Sequence, residues 1–120
     1  MPEPDAAIDV DRLDRLRALV GDEAFRRLLD NLVADLARRI GALERLDPAA
    51  DGAAMAGEAH ALKGTVGSYG LSAASALAAQ LEAACTGGQA GAIAAAVAAL
   101  GAGVRANTAQ LVERFGLRKV

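Results

Sequence analysis

Residues 23–46 read EAFRRLLDNLVADLARRIGALERL, and large apolar side chains recur in this stretch every three or four positions. These apolar residues are Phe25, Leu29, Leu32, Leu36, Ile40, Leu43 and Leu46. Charged and amide side chains fill most of the positions between them. An apolar stripe of this period lies along one face of an α-helix and packs against a core. The stretch therefore predicts a long amphipathic helix.

The segments on either side predict shorter helices that begin at polar capping residues. Asp9 can cap a short helix that ends near Val20. Asp51 can cap a helix that ends near Tyr69, with Gly70 as its left-handed C-terminal cap. Each of these helices has its own apolar stripe at helical spacing.

Two further helices are predicted in the alanine-rich second half of the chain. Ser72 can cap the first, which should end at residues 86–88, and the second is expected from about Gln89 to Phe115. No segment shows the two-residue alternation of a strand. We therefore predict an all-α fold, an antiparallel up-and-down four-helix bundle with a short additional N-terminal helix.

The length of 120 residues predicts one domain. We expect residues 1–8 to form a flexible leader, residues 9–116 the helical domain, and residues 117–120 a C-terminal tail. Because the leader begins at Met1 and is short, a free-standing domain is expected.

The composition argues against nucleic acid, membranes and metals as partners. Thirteen Lys and Arg residues against fifteen Asp and Glu give a net charge of -2, so no basic surface is expected for DNA, RNA or an anionic membrane. Two Phe, one Tyr and no Trp offer little aromatic stacking. One cysteine, Cys85, and one histidine form neither an internal disulfide nor a metal-ligand set. A protein is the expected partner, and Cys85 is expected to be a small buried residue.

The chain is predicted to be a soluble, cytoplasmic monomer. Its N-terminus, MPEPD, is acidic and lacks the basic and apolar regions of a signal peptide. The most apolar stretch, residues 90–104, is interrupted by glycines, and we expect it to be too short and too weakly apolar to span a bilayer.

The single histidine, His60, lies on the helix predicted after Asp51. Side chains three and four positions apart share a helix face, so its neighbours are Ala56, Gly57, Lys63 and Gly64. Each glycine inside a helix costs about 0.5–1 kcal/mol relative to alanine, so a compensating benefit is expected. The apolar stripe of this helix is Met55, Ala59, Leu62, Val66 and Tyr69.

This stripe lies away from the glycine face, so His60 is predicted to be an accessible imidazole. Neutral imidazole is a competent nucleophile near pH 7 and suits the acceptance and release of a phosphoryl group. Lys63 can place an ammonium beside such a group. Thr65 is expected to bond back to a carbonyl in the preceding turn, and Tyr69 to pack at the end of the helix.

The sequence His60-Ala61-Leu62-Lys63-Gly64, with Tyr69-Gly70 and then Leu81-Glu82 downstream, resembles the histidine-containing phosphotransfer (HPt) domain of bacterial multistep phosphorelays. The resemblance covers roughly residues 9–115. It implies that His60 accepts a phosphoryl group from the phospho-aspartate of a receiver domain and passes it to another receiver. Lys63 would support the charge of the phosphoryl group, and Gly64 would provide clearance.

The same resemblance implies a phosphoryl carrier without kinase or nucleotide-binding activity. No cofactor is expected on this chain, and Mg²⁺ is expected on the receiver. The receiver domain of a hybrid histidine kinase is one such expected partner. Docking is expected over Ala56, Gly57, Gly67 and Ser68, in addition to Gly64.

Family members often place a polar side chain from the following helix near the histidine, and here Gln80 or Glu82 can fill that place. A carboxylate touching phosphohistidine would be repulsive, so a role of Glu82 would concern the unphosphorylated ring or the helix surface. An alternative function is a non-phosphorylated helical adaptor that binds receiver-like domains. A dimeric kinase hairpin and a metal-binding bundle are weaker alternatives.

Overall fold

The computed structural model describes residues 8–117, and these residues form five helices. The helices are α1 Val10–Val20, α2 Asp22–Glu44, α3 Gly52–Ser68, α4 Ser72–Gly87 and α5 Ala90–Phe115. No strand occurs between residues 8 and 117, so the predicted all-α class is confirmed. Seven residues of the predicted leader and the last three of the predicted tail lie outside the described residues.

Four helices form the bundle, and the first packs against it. The most extensive contact is between α3 and α4; α4 also packs on α5, α5 on α2, and α1 on α2. Short segments, 45–51, 69–71 and 88–89, join the four bundle helices in sequence. Such short connections make consecutive helices run in opposite directions.

The core is built from the stripes that the sequence predicts. Helix α2 buries its predicted apolar residues from Phe25 to Leu43, while Leu46 lies just after the helix and is partly buried. Helix α3 buries Met55, Ala59, Leu62 and Val66 completely. Tyr69 packs partly buried against this core, as predicted. The face of α3 that carries His60 therefore points away from the core.

Helix α1 is held against the turn between α3 and α4. The Asp9 side chain caps α1 by accepting a hydrogen bond from the Arg12 backbone nitrogen at 3.0 Å, as predicted. The Asp9 backbone nitrogen donates to the Gly70 carbonyl at 2.7 Å. Gly70 has the predicted left-handed conformation, with φ +71, and a Cβ at this position would lie 2.8 Å from Asp9 Cβ. Only glycine fits both the backbone conformation and the close approach.

One predicted helix cap is confirmed in position only, and a second is wrong. Asp51 occupies the N-cap position of α3, but its carboxylate accepts a hydrogen bond from the Asp47 backbone nitrogen at 2.7 Å instead of capping the helix. Ser72 is the first residue of α4 and does not cap it. The Asn107 side-chain oxygen accepts from the Ala74 backbone nitrogen at 3.2 Å, so α5 supplies a partner for the first turn of α4.

Asn107 is completely buried, whereas the sequence indicates only a polar interruption of the α5 stripe. Its amide nitrogen donates to the Gln110 side chain at 3.1 Å. A buried amide with its hydrogen bonds made orients the elements that it joins. Asn107 therefore ties the first turn of α4 to the middle of α5.

Helix α5 corrects the expectation about membrane spanning. By length and composition it is apolar and long enough to cross a bilayer, and it is the one such helix among residues 8–117. The prediction that this region is too short and too weakly apolar is therefore wrong. A core helix of a soluble bundle has the same character, and α5 buries Ile93, Leu100, Val104 and Leu111 against its neighbours.

Candidate functional site

The His60 imidazole stands on the surface of α3 with 69% of its side chain exposed. Gly57 and Gly64, one turn before and after it, are exposed, and a Cβ at either position would meet nothing within 4 Å. Ala56 is half-buried on the same face. The ring is therefore surrounded along its helix by a low surface.

One carboxylate from α4 contacts both His60 and Lys63 of α3. Glu82 Oε2 lies 2.9 Å from His60 Nδ1, and Glu82 Oε1 accepts a hydrogen bond from Lys63 Nζ at 3.1 Å. Completely buried alanines, Ala59 on α3 and Ala78 on α4, allow the two helices to approach closely. Of the two α4 residues predicted near His60, Glu82 makes this contact, whereas Gln80 is exposed and does not hydrogen-bond to the ring.

The contact with Glu82 assigns the tautomer of the His60 ring. An ionised carboxylate only accepts hydrogen bonds, so Nδ1 must carry the proton that it shares with Glu82. In the neutral ring the lone pair is then on Nε2, at the edge of the imidazole away from Glu82. The exposed ring thus has an oriented nucleophilic nitrogen.

The carboxylate is held in its ionised form. The hydrogen bond from Lys63 is the largest influence and lowers the pKa of Glu82 below its usual range. Partial desolvation acts in the opposite direction, and the hydrogen bond with His60 lowers the pKa further. Glu82 is therefore an anion at neutral pH, as the tautomer assignment requires.

The remaining predicted docking residues surround this site. Gly67 is half-buried, and a Cβ there would lie in ordinary contact with Ser75 Oγ of α4, at 3.6 Å. Ser68 is exposed and donates its hydroxyl hydrogen to the Gly64 carbonyl at 2.9 Å. Gly67 thus contributes to the packing of α3 on α4, whereas Ser68 lies on the open face.

An open depression lies beside Lys63, where α3, α4 and the start of α1 meet. It is a cavity of about 440 Å³ with Lys63 and Arg12 among its lining residues. The other lining residues are mostly small: Gly67, Gly70, Ser72, Ser75, Ala76 and Ala79, together with Asp9. A shallow depression therefore adjoins the His60 site along the boundary of these two helices.

Two other sequence predictions concern side chains near this helix pair. Thr65 Oγ1 donates to the Ala61 carbonyl at 3.2 Å, which confirms its bond to the preceding turn. Cys85 is only half-buried, in contrast to the prediction, and this burial raises the pKa of its thiol. Between residues 8 and 117 no group of three His, Cys, Asp or Glu side chains is arranged to hold a metal ion.

Comparison with protein families agrees with this geometry. The model of the Hpt domain family matches residues 27–114, and the chain belongs to this family. Domains of this family take part in histidine phosphotransfer in phosphorelays, interact with receiver domains, and are phosphoryl carriers rather than enzymes. Searches of curated proteins and of solved structures found no significant match.

Proposed function

We propose that His60 is the phosphoryl acceptor of this Hpt domain. It takes the group from a receiver phospho-aspartate and passes it to the aspartate of another receiver. The observation that carries the proposal is the exposed imidazole whose Nδ1 is bonded to Glu82, because this arrangement directs the Nε2 lone pair outward. A receiver belonging to a hybrid histidine kinase would serve equally as donor, and we place the exchange in the cytoplasm.

The transfer step follows from the tautomer. The Nε2 lone pair attacks the phosphorus of the acyl phosphate, and the bond from phosphorus to the aspartate oxygen breaks. The receiver aspartate leaves as a carboxylate, and the ring becomes a phosphoimidazolium that keeps its Nδ1 proton. The Glu82 carboxylate, 2.9 Å from Nδ1, offsets the positive charge that develops on the ring. Transfer to the next receiver is the reverse of this step.

The Glu82 carboxylate is compatible with a phosphorylated ring because of where it lies. It contacts Nδ1, whereas the phosphoryl group would be attached at Nε2, on the opposite edge of the imidazole. The repulsion expected from the sequence is reduced by this separation and by the Lys63 ammonium, which lies 3.1 Å from the same carboxylate. Lys63 also supplies positive charge one turn from His60 to support the phosphoryl group.

The open surface around His60 is proposed as the docking site of the receiver. An aspartyl phosphate on a folded domain must approach Nε2 closely, with donor and acceptor aligned. Gly64 and Gly57 leave that approach unobstructed, and Ala56 and Ser68 extend the low surface along α3. Gly67, which is half-buried against α4, is proposed to lie at the edge of this surface. Gln80, exposed on α4, is proposed to contribute a polar contact at the edge of this surface.

The direct test is label transfer from a purified receiver phosphorylated at aspartate. The wild-type protein is expected to gain an acid-labile label, and His60→Gln to gain none while its helical circular dichroism is unchanged. Glu58→Gln is the matched control, since Glu58 is exposed on the same helix two residues from His60 and faces elsewhere. Labelling of His60→Gln at the wild-type level would refute the assignment of the acceptor.

The same experiment separates the carrier from an adaptor. If receivers bind the wild-type protein but no receiver of its genome transfers label, the non-phosphorylated adaptor becomes the better account.

We propose that the carrier needs no cofactor of its own and that Mg²⁺ acts on the receiver. A chelator should therefore stop transfer from the phosphorylated receiver, but it should leave the labelling of His60 by phosphoramidate, a small phosphoryl donor, unchanged.

A further inference from the structure

Glu82 lies where it can act after phosphorylation as well as before it. Its Oε2 is 2.9 Å from Nδ1, the ring atom that does not carry the phosphoryl group in the proposed transfer. The protonation state of Nδ1 decides how readily the phosphoryl group leaves. With the proton on Nδ1, the bond between Nε2 and phosphorus breaks to release neutral imidazole; without it, the leaving group is an imidazolate, which is far more basic.

We propose that Glu82 keeps phospho-His60 protonated at Nδ1, and so keeps the carrier a competent phosphoryl donor above neutral pH. This inference rests on the proposed phosphorylation of His60. In the donor step the phosphoryl group passes to a receiver carboxylate, the electron pair of the broken bond returns to Nε2, and the proton stays on Nδ1. No other reactant is needed.

The charged surroundings of the ring leave this role to Glu82. On α3, Lys63 is paired with the same carboxylate, and Glu58 is two residues from His60 on another side of the helix. On α4, the other titratable side chain is Cys85, which packs against the core. Arg39 of α2 donates a hydrogen bond to Thr65 of α3 at 3.5 Å, and its Nε is paired with Asp35 at 3.1 Å.

The two charges in contact with each other should act on Nδ1 in opposite directions. The Glu82 anion favours the protonated ring, whereas the Lys63 cation opposes it and shares the carboxylate. Removing Glu82 should therefore lower the pH at which Nδ1 loses its proton, and removing Lys63 should raise that pH. A general disturbance of the helices would not produce shifts of opposite sign.

The test begins without any receiver. His60 is phosphorylated with phosphoramidate, and the ³¹P resonance of phosphohistidine is followed against pH in four proteins: wild type, Glu82→Gln, Lys63→Gln and the control Glu58→Gln. We expect the pH midpoint of the ³¹P transition to lie about one pH unit lower in Glu82→Gln than in wild type. This shift is at the small end of the range that a charge in contact produces, because 34% of the Glu82 side chain is exposed to solvent. Lys63→Gln should shift upward, and Glu58→Gln should stay close to wild type. Coincident transitions for wild type and Glu82→Gln would overturn the proposal.

A second measurement connects the titration to transfer. The phosphorylated proteins are mixed with an unphosphorylated receiver between about pH 6 and pH 8.5, a range that brackets the ordinary imidazole titration. Glu82→Gln should transfer nearly as fast as wild type at the acidic end and up to about tenfold more slowly at the alkaline end. A parallel loss at every pH would assign Glu82 a merely structural role. If no variant transfers to any receiver while the ³¹P titration still shows the shifts, the proposed relay function fails and the inference about Nδ1 stands.

Discussion

Replacing Gly70 by alanine should destabilise the protein through two separable effects. The first is conformational: φ at Gly70 is +71, and a left-handed residue with a Cβ costs about 1–2 kcal/mol. The second is steric, because the new Cβ would lie 2.8 Å from Asp9 Cβ and 3.2 Å from the Asp9 carbonyl oxygen. These atoms belong to the capping residue of α1, so relief requires a shift of the start of that helix. Overpacking of this kind costs about 1–3 kcal/mol more.

Gly88 provides a matched control for this prediction. Its φ is +74, nearly the same as that of Gly70, but a Cβ there would meet nothing within 4 Å. Gly88→Ala should therefore lose only the conformational part, about 1–2 kcal/mol, whereas Gly70→Ala should lose about 2–5 kcal/mol. The difference between the two variants isolates the contact of Gly70 with Asp9.

Urea unfolding followed by circular dichroism measures both free energies of unfolding. Each kcal/mol should also lower the melting temperature by about 4 °C in a domain of this size. Equal losses of stability in Gly70→Ala and Gly88→Ala would refute the reasoning, because the close approach of Asp9 would then contribute nothing to the need for glycine at position 70.

Three further predictions concern the docking face, the buried amide and the acidic side of the pH range. Gly64→Gln should slow labelling by a phosphorylated receiver at least about tenfold, because the new side chain enters the open space beside His60. Gly91→Gln, at an equally open position on α5, should be labelled at the wild-type rate. Unchanged labelling kinetics in Gly64→Gln would show that Gly64 provides no clearance. Asn107→Ala should lower the free energy of unfolding by about 1–3 kcal/mol, because the Ala74 N–H loses its partner. The control Asn31→Ala, at an exposed position, should change the free energy of unfolding by less than about 0.5 kcal/mol, and equal changes in the two variants would contradict the capping role of Asn107. The pKa of Glu82 is lowered in the folded protein from its ordinary value of 4.5, so the contribution of Glu82 to stability is present above that pH and is lost as the pH falls through the lowered pKa. The difference in unfolding free energy between wild type and Glu82→Gln should therefore narrow below about pH 4.5. A difference that stays constant with pH would contradict the ion pairs of Glu82.

The fold was largely predictable because its helices have strong local signals. The α2 stripe from Phe25 to Leu43 is buried as its period predicts, and Gly70 has the left-handed conformation expected at the end of α3. The orientation of the His60 face also follows from local phase, since Ala59 and Leu62 are buried while His60 is exposed. These features depend on residues within one or two turns of each other.

The features that could not be predicted depend on contacts between distant parts of the chain. Asn107 caps α4 from 33 residues away, and no local pattern distinguishes that role from the nearer candidate Ser72. The choice of Glu82 over Gln80 depends on the rotation of α4 about its axis. Alanines occupy so many positions of α4 that its apolar stripe defines this rotation only weakly.

The pairing of Lys63 with Glu82 also sets the net charge of the face that a receiver would meet. The ammonium and the carboxylate cancel each other, so beside a neutral His60 ring this face carries no net charge. An incoming aspartyl phosphate, which is an anion, therefore meets no electrostatic barrier there. In the proposed transfer, a dianionic phosphoryl group joins a ring that is still protonated at Nδ1, so the site then carries one unit of negative charge. Because the Mg²⁺ proposed on the receiver offsets its aspartate, the charge that changes is that of this face, which goes from neutral to negative and so distinguishes the loaded carrier from the empty one.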